Sequence, residues 1–121
     1  MCFSFWGLWG QTNKFKTVDV DDFAKFIIDT TVTLLDVRTP AEHAEGFIPG
    51  THYNIDVLQD NYEQIAISKL SKDKPVALYC RSGNRSKTAA RILSERGYEV
   101  VELGTGYRGW VAAGQQIAKP E

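Results

Sequence analysis

The chain has 121 residues, of which 43% are hydrophobic and 24% charged, with a formal net charge of −1 at pH 7. This length leaves room for one hydrophobic core and excludes two, and the composition is that of an ordinary globular domain. The near-zero charge gives no general attraction to nucleic acid or to an anionic membrane, so any preference for anions must come from local charge placement.

Residues 1–14 are predicted to form an apolar tail, followed by a single domain over residues 15–121. The tail carries four large aromatic side chains: Phe3, Phe5, Trp6 and Trp9. Such a segment is either a frayed tail or small hydrophobic patch that docks on the domain, or an attachment surface for a partner protein. No basic residue precedes the short apolar run, which argues against a secretory signal, and no stretch is long enough to span a membrane.

The two cysteines, Cys2 and Cys80, are too few for a disulfide framework. A reducing compartment therefore fits the chain best, and we expect a cytoplasmic protein.

The first half of the domain alternates short strands and helices. Residues 15–18 can form a strand, and Asp19 can cap a helix that buries Phe23 and its neighbours at helical spacing. Residues 32–37 are short, apolar and β-branched, as in a buried parallel strand. Thr39 to Glu42 forms a capping box with proline at the first helical position, so a helix should begin there.

The second half repeats this alternation. After a turn at 48–50, the predicted strands are 53–57, 75–79 and 99–103, and the predicted helices are 61–70, 86–96 and 107–113. Ser86 can cap the second of these helices and Gly97 can end it. The pattern predicts an α/β fold with a central, mostly parallel five-stranded sheet flanked by helices. Ligands bind at the carboxyl ends of such strands, which draws attention to residues 36–38, 80–86 and 104–106.

The segment after Tyr79 has the features of an anion-binding loop. Cys80 ends a strand, and the chain then turns through Gly83 into a helix, so that backbone N–H groups and the positive helix end can face the sulfur. Both effects stabilise a thiolate over a thiol. Four basic residues and no acidic one lie between residues 80 and 94: Arg81, Arg85, Lys87 and Arg91. Cations at a helix start oppose the dipole, so their presence points to an anionic substrate.

At this point the sequence resembles the rhodanese family. The matching stretches are residues 34–42, 46–50, 74–86 and 104–110, in the family's order, and together they cover about residues 17 to 114. The resemblance implies a rhodanese-like fold. It also implies a sulfurtransferase that moves a sulfane sulfur from a small anionic donor such as thiosulfate to cyanide or a thiol, with no cofactor and no metal.

The resemblance also implies roles for individual residues. Cys80 is the nucleophile that carries sulfur as a persulfide. The anion-binding cradle consists of the loop residues Arg81, Ser82, Gly83, Asn84, Arg85 and Ser86. Asp36 and Arg38 match an acidic and basic pair near the site, and their alternative role is structural pairing at a strand end, with Glu42 as a candidate third partner. Trp110 is expected in the core.

Three positions depart from the family's pattern. Phe47 replaces a usual histidine, the segment 51–54 is one residue longer, and Gly104-Thr-Gly106 replaces a usual pair of adjacent glycines. None of them lies in the Cys80 loop, so we expect a change in donor preference rather than a loss of activity.

Two other functions compete with this interpretation. Related phosphatases and arsenate reductases also use a cysteine-arginine loop, but theirs is longer by one residue than the four residues between Cys80 and Arg85. Some rhodanese-like domains lack the cysteine and only bind partners, and the presence of Cys80 argues against that role as the sole function. A mixed role is the other alternative: a persulfide carrier that passes sulfur to a protein acceptor docked on the aromatic N-terminus. His43 and His52 show no metal-ligand spacing with the cysteines, and no nucleotide-binding motif is present.

Overall fold

A computed structural model describes residues 15–121, so the predicted tail at 1–14 lies outside the described residues. Five strands alternate with five helices along this part of the chain. The strands are β1 Lys16–Val18, β2 Thr33–Asp36, β3 Tyr53–Asn54, β4 Val76–Tyr79 and β5 Val100–Leu103. The helices are α1 Val20–Phe26, α2 Pro40–Glu45, α3 Tyr62–Lys69, α4 Asn84–Glu95 and α5 Gly106–Ala112.

The strands form one sheet in the order β1-β5-β4-β2-β3, and every neighbouring pair is parallel. This confirms the predicted α/β fold with a five-stranded sheet. The three central strands, β2, β4 and β5, are buried along their whole length. All strands run the same way, so the loops that follow these three meet at one edge of the sheet.

Each face of the sheet has its own core, because successive strand residues point to opposite sides. On one side Leu78 and Cys80 pack with buried residues of α3 and α4, such as Leu93. On the other side Tyr79 packs with α1 and with Trp110 of α5, which is 4% exposed. The structure thus confirms Trp110 as a core residue and places the Cys80 side chain on the α4 side.

Two predicted helix starts are confirmed in atomic detail. The Asp19 carboxylate accepts a hydrogen bond from the Asp22 N–H at 2.9 Å. In the capping box, the Glu42 N–H donates to the Thr39 hydroxyl at 3.2 Å, and the Thr39 N–H donates to the Glu42 carboxylate at 3.0 Å. These local bonds satisfy amide groups that the first helical turn leaves without partners, and therefore fix where α1 and α2 begin.

The predicted start of α4 is wrong. The helix begins at Asn84, and the capping position belongs to Gly83, whose φ of +105° lies in the left-handed region. Ser86 is therefore inside the first turn, where its side chain is fully buried and donates elsewhere. The predicted strand at 53–57 is also shorter, because only Tyr53–Asn54 keeps the regular pairing with β2.

Over residues 15–121, no helix has the length and apolar character that crossing a membrane requires.

Candidate active site

The Cys80 loop lies at the carboxyl edge of the sheet and is held there by the start of α5. The Tyr107 N–H donates to the Cys80 carbonyl at 2.8 Å, and the Arg108 N–H donates to the Arg81 carbonyl at 3.0 Å. The loop after β4 is thus attached to the first turn of α5 through main-chain bonds. This attachment fixes the loop backbone, because both partners are anchored in the central strands.

Glycines allow these two loops to pack backbone against backbone. A Cβ atom on Gly83 would lie 2.1 Å from the Gly104 carbonyl oxygen, and one on Gly106 would lie 2.4 Å from the Arg81 carbonyl oxygen. Both residues also have positive φ, at +105° and +68°. A side chain at Gly106 would therefore displace the Cys80 loop, whereas a Cβ atom on Gly104 would meet the Thr17 side chain of β1 at 2.8 Å.

Cys80 is held at the centre of this arrangement with its sulfur facing the start of α4. The side chain is 1% exposed, and the Gly83 N–H donates to Sγ at 3.0 Å. Among the backbone N–H groups that the sequence predicted to face the sulfur, the Gly83 N–H is the one that bonds to it. A donor N–H together with the positive end of a helix favours a negative charge on the sulfur.

The remaining loop side chains divide into exposed and engaged groups. Arg81, Ser82 and Asn84 are exposed. Arg85 is engaged: its guanidinium makes a two-pronged ion pair with the Glu42 carboxylate, at 2.7 and 2.9 Å. Hydrogen bonds from Arg85 hold the pKa of Glu42 down at about 2, and the same bonds raise the pKa of Arg85. The positive charge of Arg85 is therefore largely neutralised, and the pair ties the loop to α2.

Asp36 and Arg38 form the pair at the end of β2 that the sequence suggested, and the pair is buried. Their exposed fractions are 0% and 3%, and two hydrogen bonds of 2.9 and 2.7 Å join the groups. Arg38 also donates to the Gly46 carbonyl at 2.7 Å and lies over the Tyr107 ring at 4.3 Å. Arg38 reaches Glu42 through the main-chain carbonyl alone, at 3.4 Å. The candidate third partner of the pair thus has its carboxylate on Arg85 instead.

Phe47, which stands where the resembled family usually has histidine, packs beside the Asp36–Arg38 pair through His43. Its ring stacks on His43 with centroids 4.4 Å apart and planes 9° apart, and His43 Nδ1 lies 2.9 Å from the Asp36 carboxylate. His52 accepts a hydrogen bond from the Leu34 N–H through Nδ1 at 2.9 Å. Both histidines therefore have structural contacts around β2.

Sequence reasoning missed a buried carboxylate that supports the loop. Glu102 on β5 is fully buried and accepts from the Ser86 hydroxyl at 2.6 Å and from the Thr17 hydroxyl. Lys87 lies 3.2 Å from the same carboxylate and donates to the Gly83 carbonyl at 3.0 Å. The sequence did contain a signal for it, a glutamate inside the otherwise apolar strand Val100–Leu103. A carboxylate buried in a strand needs hydrogen-bond or charge partners, so this pattern indicates a polar contact nearby.

A cavity of about 430 Å³ opens beside the loop. Its lining combines residues of α2, α5 and the two loops: Arg38, Glu42, Glu45, Arg81, Tyr107, Arg108, Val111 and Ala112. In residues 15–121, no three His, Cys, Asp or Glu side chains are grouped in a way that could hold a metal ion.

Comparison with known proteins gives consistent matches over most of the chain. Residues 19–113 match the family model of the rhodanese-like domain. A sulfurtransferase from Allochromatium vinosum is 40% identical over 108 residues, covering 86% of this chain and 95% of that protein. A thiosulfate sulfurtransferase from Tolumonas auensis is 29% identical over 100 residues, covering 81% and 90%. The crystal structure of a rhodanese-related protein from Thermoplasma volcanium has a TM-score of 0.76 and 28% identity, covering 88% of this chain and 100% of that one.

Proposed function

The chain belongs to the rhodanese-like domain family, and on this premise we propose that it transfers a sulfane sulfur from an anionic donor to a thiophilic acceptor through a persulfide on Cys80. The observation that carries the proposal is the setting of the sulfur. Sγ follows a central strand, accepts the Gly83 N–H at 3.0 Å and faces the start of the 12-residue helix α4. A sulfur in this setting is suited to act as a nucleophile and then to carry an anionic terminal sulfur.

In the first half-reaction the Cys80 thiolate attacks the outer sulfur of a donor such as thiosulfate. A bond forms between Sγ and that sulfur, the sulfur–sulfur bond of the donor breaks, and sulfite leaves with the bonding electron pair. The product is a Cys80 persulfide. The donor N–H and helix end that favour the thiolate favour the persulfide anion equally, because the negative charge moves outward by a single atom.

In the second half-reaction a nucleophile, either cyanide or a thiol, attacks the outer sulfur of the persulfide. The bond between the two sulfurs breaks, and its electron pair returns to Sγ as the thiolate. The enzyme ends in its starting state, so the scheme predicts ping-pong kinetics.

We assign donor binding to residues 81–86, with Arg81 as the principal cation. Arg85 contributes less charge than the sequence suggested, because the Glu42 carboxylate takes both of its donor prongs. Asp36 and Arg38 are positioning residues in this scheme. Arg38 fixes Gly46 and supports the Tyr107 ring, and the Tyr107 N–H holds the Cys80 carbonyl.

Intact-mass measurement tests the scheme. Protein treated with thiosulfate, or with cysteine persulfide as a second donor, should gain the mass of one sulfur atom and lose it on addition of cyanide. Cys80→Ser should gain nothing, whereas Cys2→Ser, which removes the other cysteine, should still load. Wild-type protein that gains no sulfur from either donor would rule the scheme out.

The phosphatase alternative is disfavoured by the state of Arg85. A phosphatase loop needs its arginine free to bind the phosphate oxygens, and here the guanidinium is occupied by Glu42. Turnover of an aryl phosphate that is lost in Cys80→Ser would reverse this preference.

A further inference from the structure

Two of the basic residues at the start of α4 have a carboxylate partner within the fold. Arg85 is paired with Glu42, and the Lys87 ammonium group lies 3.2 Å from the Glu102 carboxylate. A cation in the first turns of a helix opposes the helix dipole, and a carboxylate beside it offsets this cost. Lys87 is therefore held against β5, although its side chain is 51% exposed.

The carboxylate that holds Lys87 has a fixed position. Glu102 is fully buried on β5, and it accepts hydrogen bonds from the Ser86 hydroxyl at 2.6 Å and from the Thr17 hydroxyl. These bonds come from α4 and from β1, so they hold the carboxylate from two sides. The Lys87 ammonium group thus has a defined place, because its partner is anchored in the interior.

The same ammonium group contacts the turn that faces the Cys80 sulfur. Lys87 Nζ donates to the Gly83 carbonyl at 3.0 Å, and the Gly83 N–H donates to Cys80 Sγ at 3.0 Å. Glycine can adopt many backbone conformations, so contacts at its own carbonyl and N–H restrict it where no side chain can. The orientation of the N–H that bonds to the sulfur therefore depends in part on Lys87.

We propose that Lys87 is a positioning residue for the Cys80 nucleophile. Its ammonium group, anchored on Glu102, holds the Gly83 carbonyl and keeps the Gly83 N–H directed at Sγ. Its positive charge also balances the buried Glu102 charge, which would otherwise disfavour a second negative charge at the same helix start. The proposal rests on the proposed function and adds to it a residue that keeps the nucleophile reactive.

The test measures the reactivity of Cys80 with a neutral reagent. Cys2→Ser protein is the parent, so that Cys80 is the sole thiol, and intact mass follows its alkylation by iodoacetamide at pH 7. We expect Lys87→Met to lower the alkylation rate about tenfold, the effect of one charge-assisted hydrogen bond at a half-exposed side chain. Partial unfolding cannot imitate this result, because Cys80 is 1% exposed in the fold and unfolding would speed its alkylation.

Two further variants provide the comparison. Lys87→Arg keeps the charge and offers several N–H donors, so its alkylation rate should lie within about threefold of the parent rate. Arg91→Met removes an exposed cation one turn further along the same helix and should keep the parent rate. An arginine variant as slow as Lys87→Met would assign the effect to packing of the lysine side chain and overturn the proposal.

Sulfur loading shows whether Lys87 acts on Cys80 or on the donor. A positioning residue should slow loading by thiosulfate and by cysteine persulfide equally, about tenfold, because both donors react with the same sulfur. A loss confined to thiosulfate, with alkylation unchanged, would make Lys87 a donor-binding cation and overturn the proposal. Parent protein that is alkylated but gains no sulfur from either donor would overturn the proposed function instead, and the alkylation rates would still decide the role of Lys87.

Discussion

The ion pair between Glu42 and Arg85 makes a quantitative prediction about stability. Glu42→Gln removes the negative charge but keeps the hydrogen-bonding shape, and glutamine serves as well as glutamate in a capping box. The start of α2 should therefore survive the change. What is lost is the charge that Arg85 contacts at 2.7 and 2.9 Å across 43 residues of sequence.

The size of the effect follows from the pKa of Glu42, which is lowered from 4.5 to about 2, mainly by the Arg85 hydrogen bonds and charge and in part by the hydrogen bonds from Thr39. A shift of this size would correspond to about 3 kcal/mol for a pair shielded from water. The two side chains are 22% and 23% exposed, so water screens the pair, and we expect about 1 kcal/mol. For a chain of this length the melting temperature should fall by about 4 °C.

The pH dependence identifies charge as the cause. The folded pKa is below the unfolded value, so the pair stabilises the protein fully above pH 4.5 and loses this contribution as the pH falls towards 2. Urea unfolding of wild type and Glu42→Gln should therefore differ by about 1 kcal/mol at pH 7 and by less than half of that at pH 3.

Glu45→Gln removes an exposed carboxylate from the same helix and should leave the stability at pH 7 nearly unchanged. If the loss in Glu42→Gln is as large at pH 3 as at pH 7, the variant has damaged packing or the helix cap, and the ion pair does not contribute as argued.

Two further predictions concern the support of the loop. Gly83→Ala should lower the free energy of unfolding by more than about 2 kcal/mol and slow persulfide loading, because its Cβ atom would meet the Gly104 carbonyl oxygen at 2.1 Å. Gly114→Ala is the control, since Gly114 also has a positive φ but faces open space, and it should cost only about 1 kcal/mol. Equal losses of stability in the two variants would show that the two loops separate easily. Glu102→Gln should cost about 2 kcal/mol in urea unfolding at pH 7, because the buried carboxylate accepts two hydroxyl hydrogen bonds and the amide NH2 of glutamine can accept neither. Glu99→Gln is the control: burial raises the pKa of Glu99 and disfavours its charged form in the fold, so this variant should not destabilise the protein. Similar losses of stability in the two glutamine variants would contradict the supporting role of Glu102.

Much of the fold could be predicted because its signals are local. The Asp19 cap and the Thr39–Glu42 capping box involve residues three positions apart, so their chemistry is readable as a short pattern. The alternation of buried strands with helices predicted the parallel sheet. Parallel strands then place Cys80 at the carboxyl edge whatever the strand order.

The details of the α4 start could not be read in the same way. Serine is a common capping residue, so Ser86 was a reasonable choice from its type alone. In the structure its hydroxyl bonds to Glu102 on β5, and the capping position belongs to Gly83, where the Gly104 carbonyl leaves no room for a side chain. Both facts depend on β5 lying beside β4, which no local pattern specifies.

By itself the sequence determined that a cysteine would end a buried strand, turn through a glycine and face a helix start rich in basic residues. Only the tertiary structure decided which of those charges remain available. It pairs Arg85 with Glu42, buries Arg38 against Asp36, and leaves Arg81 beside Arg108 at the cavity. The physical reason is that an ion pair depends on a few ångströms of separation in space. Here that separation is set by strand order and loop packing between residues far apart in the chain.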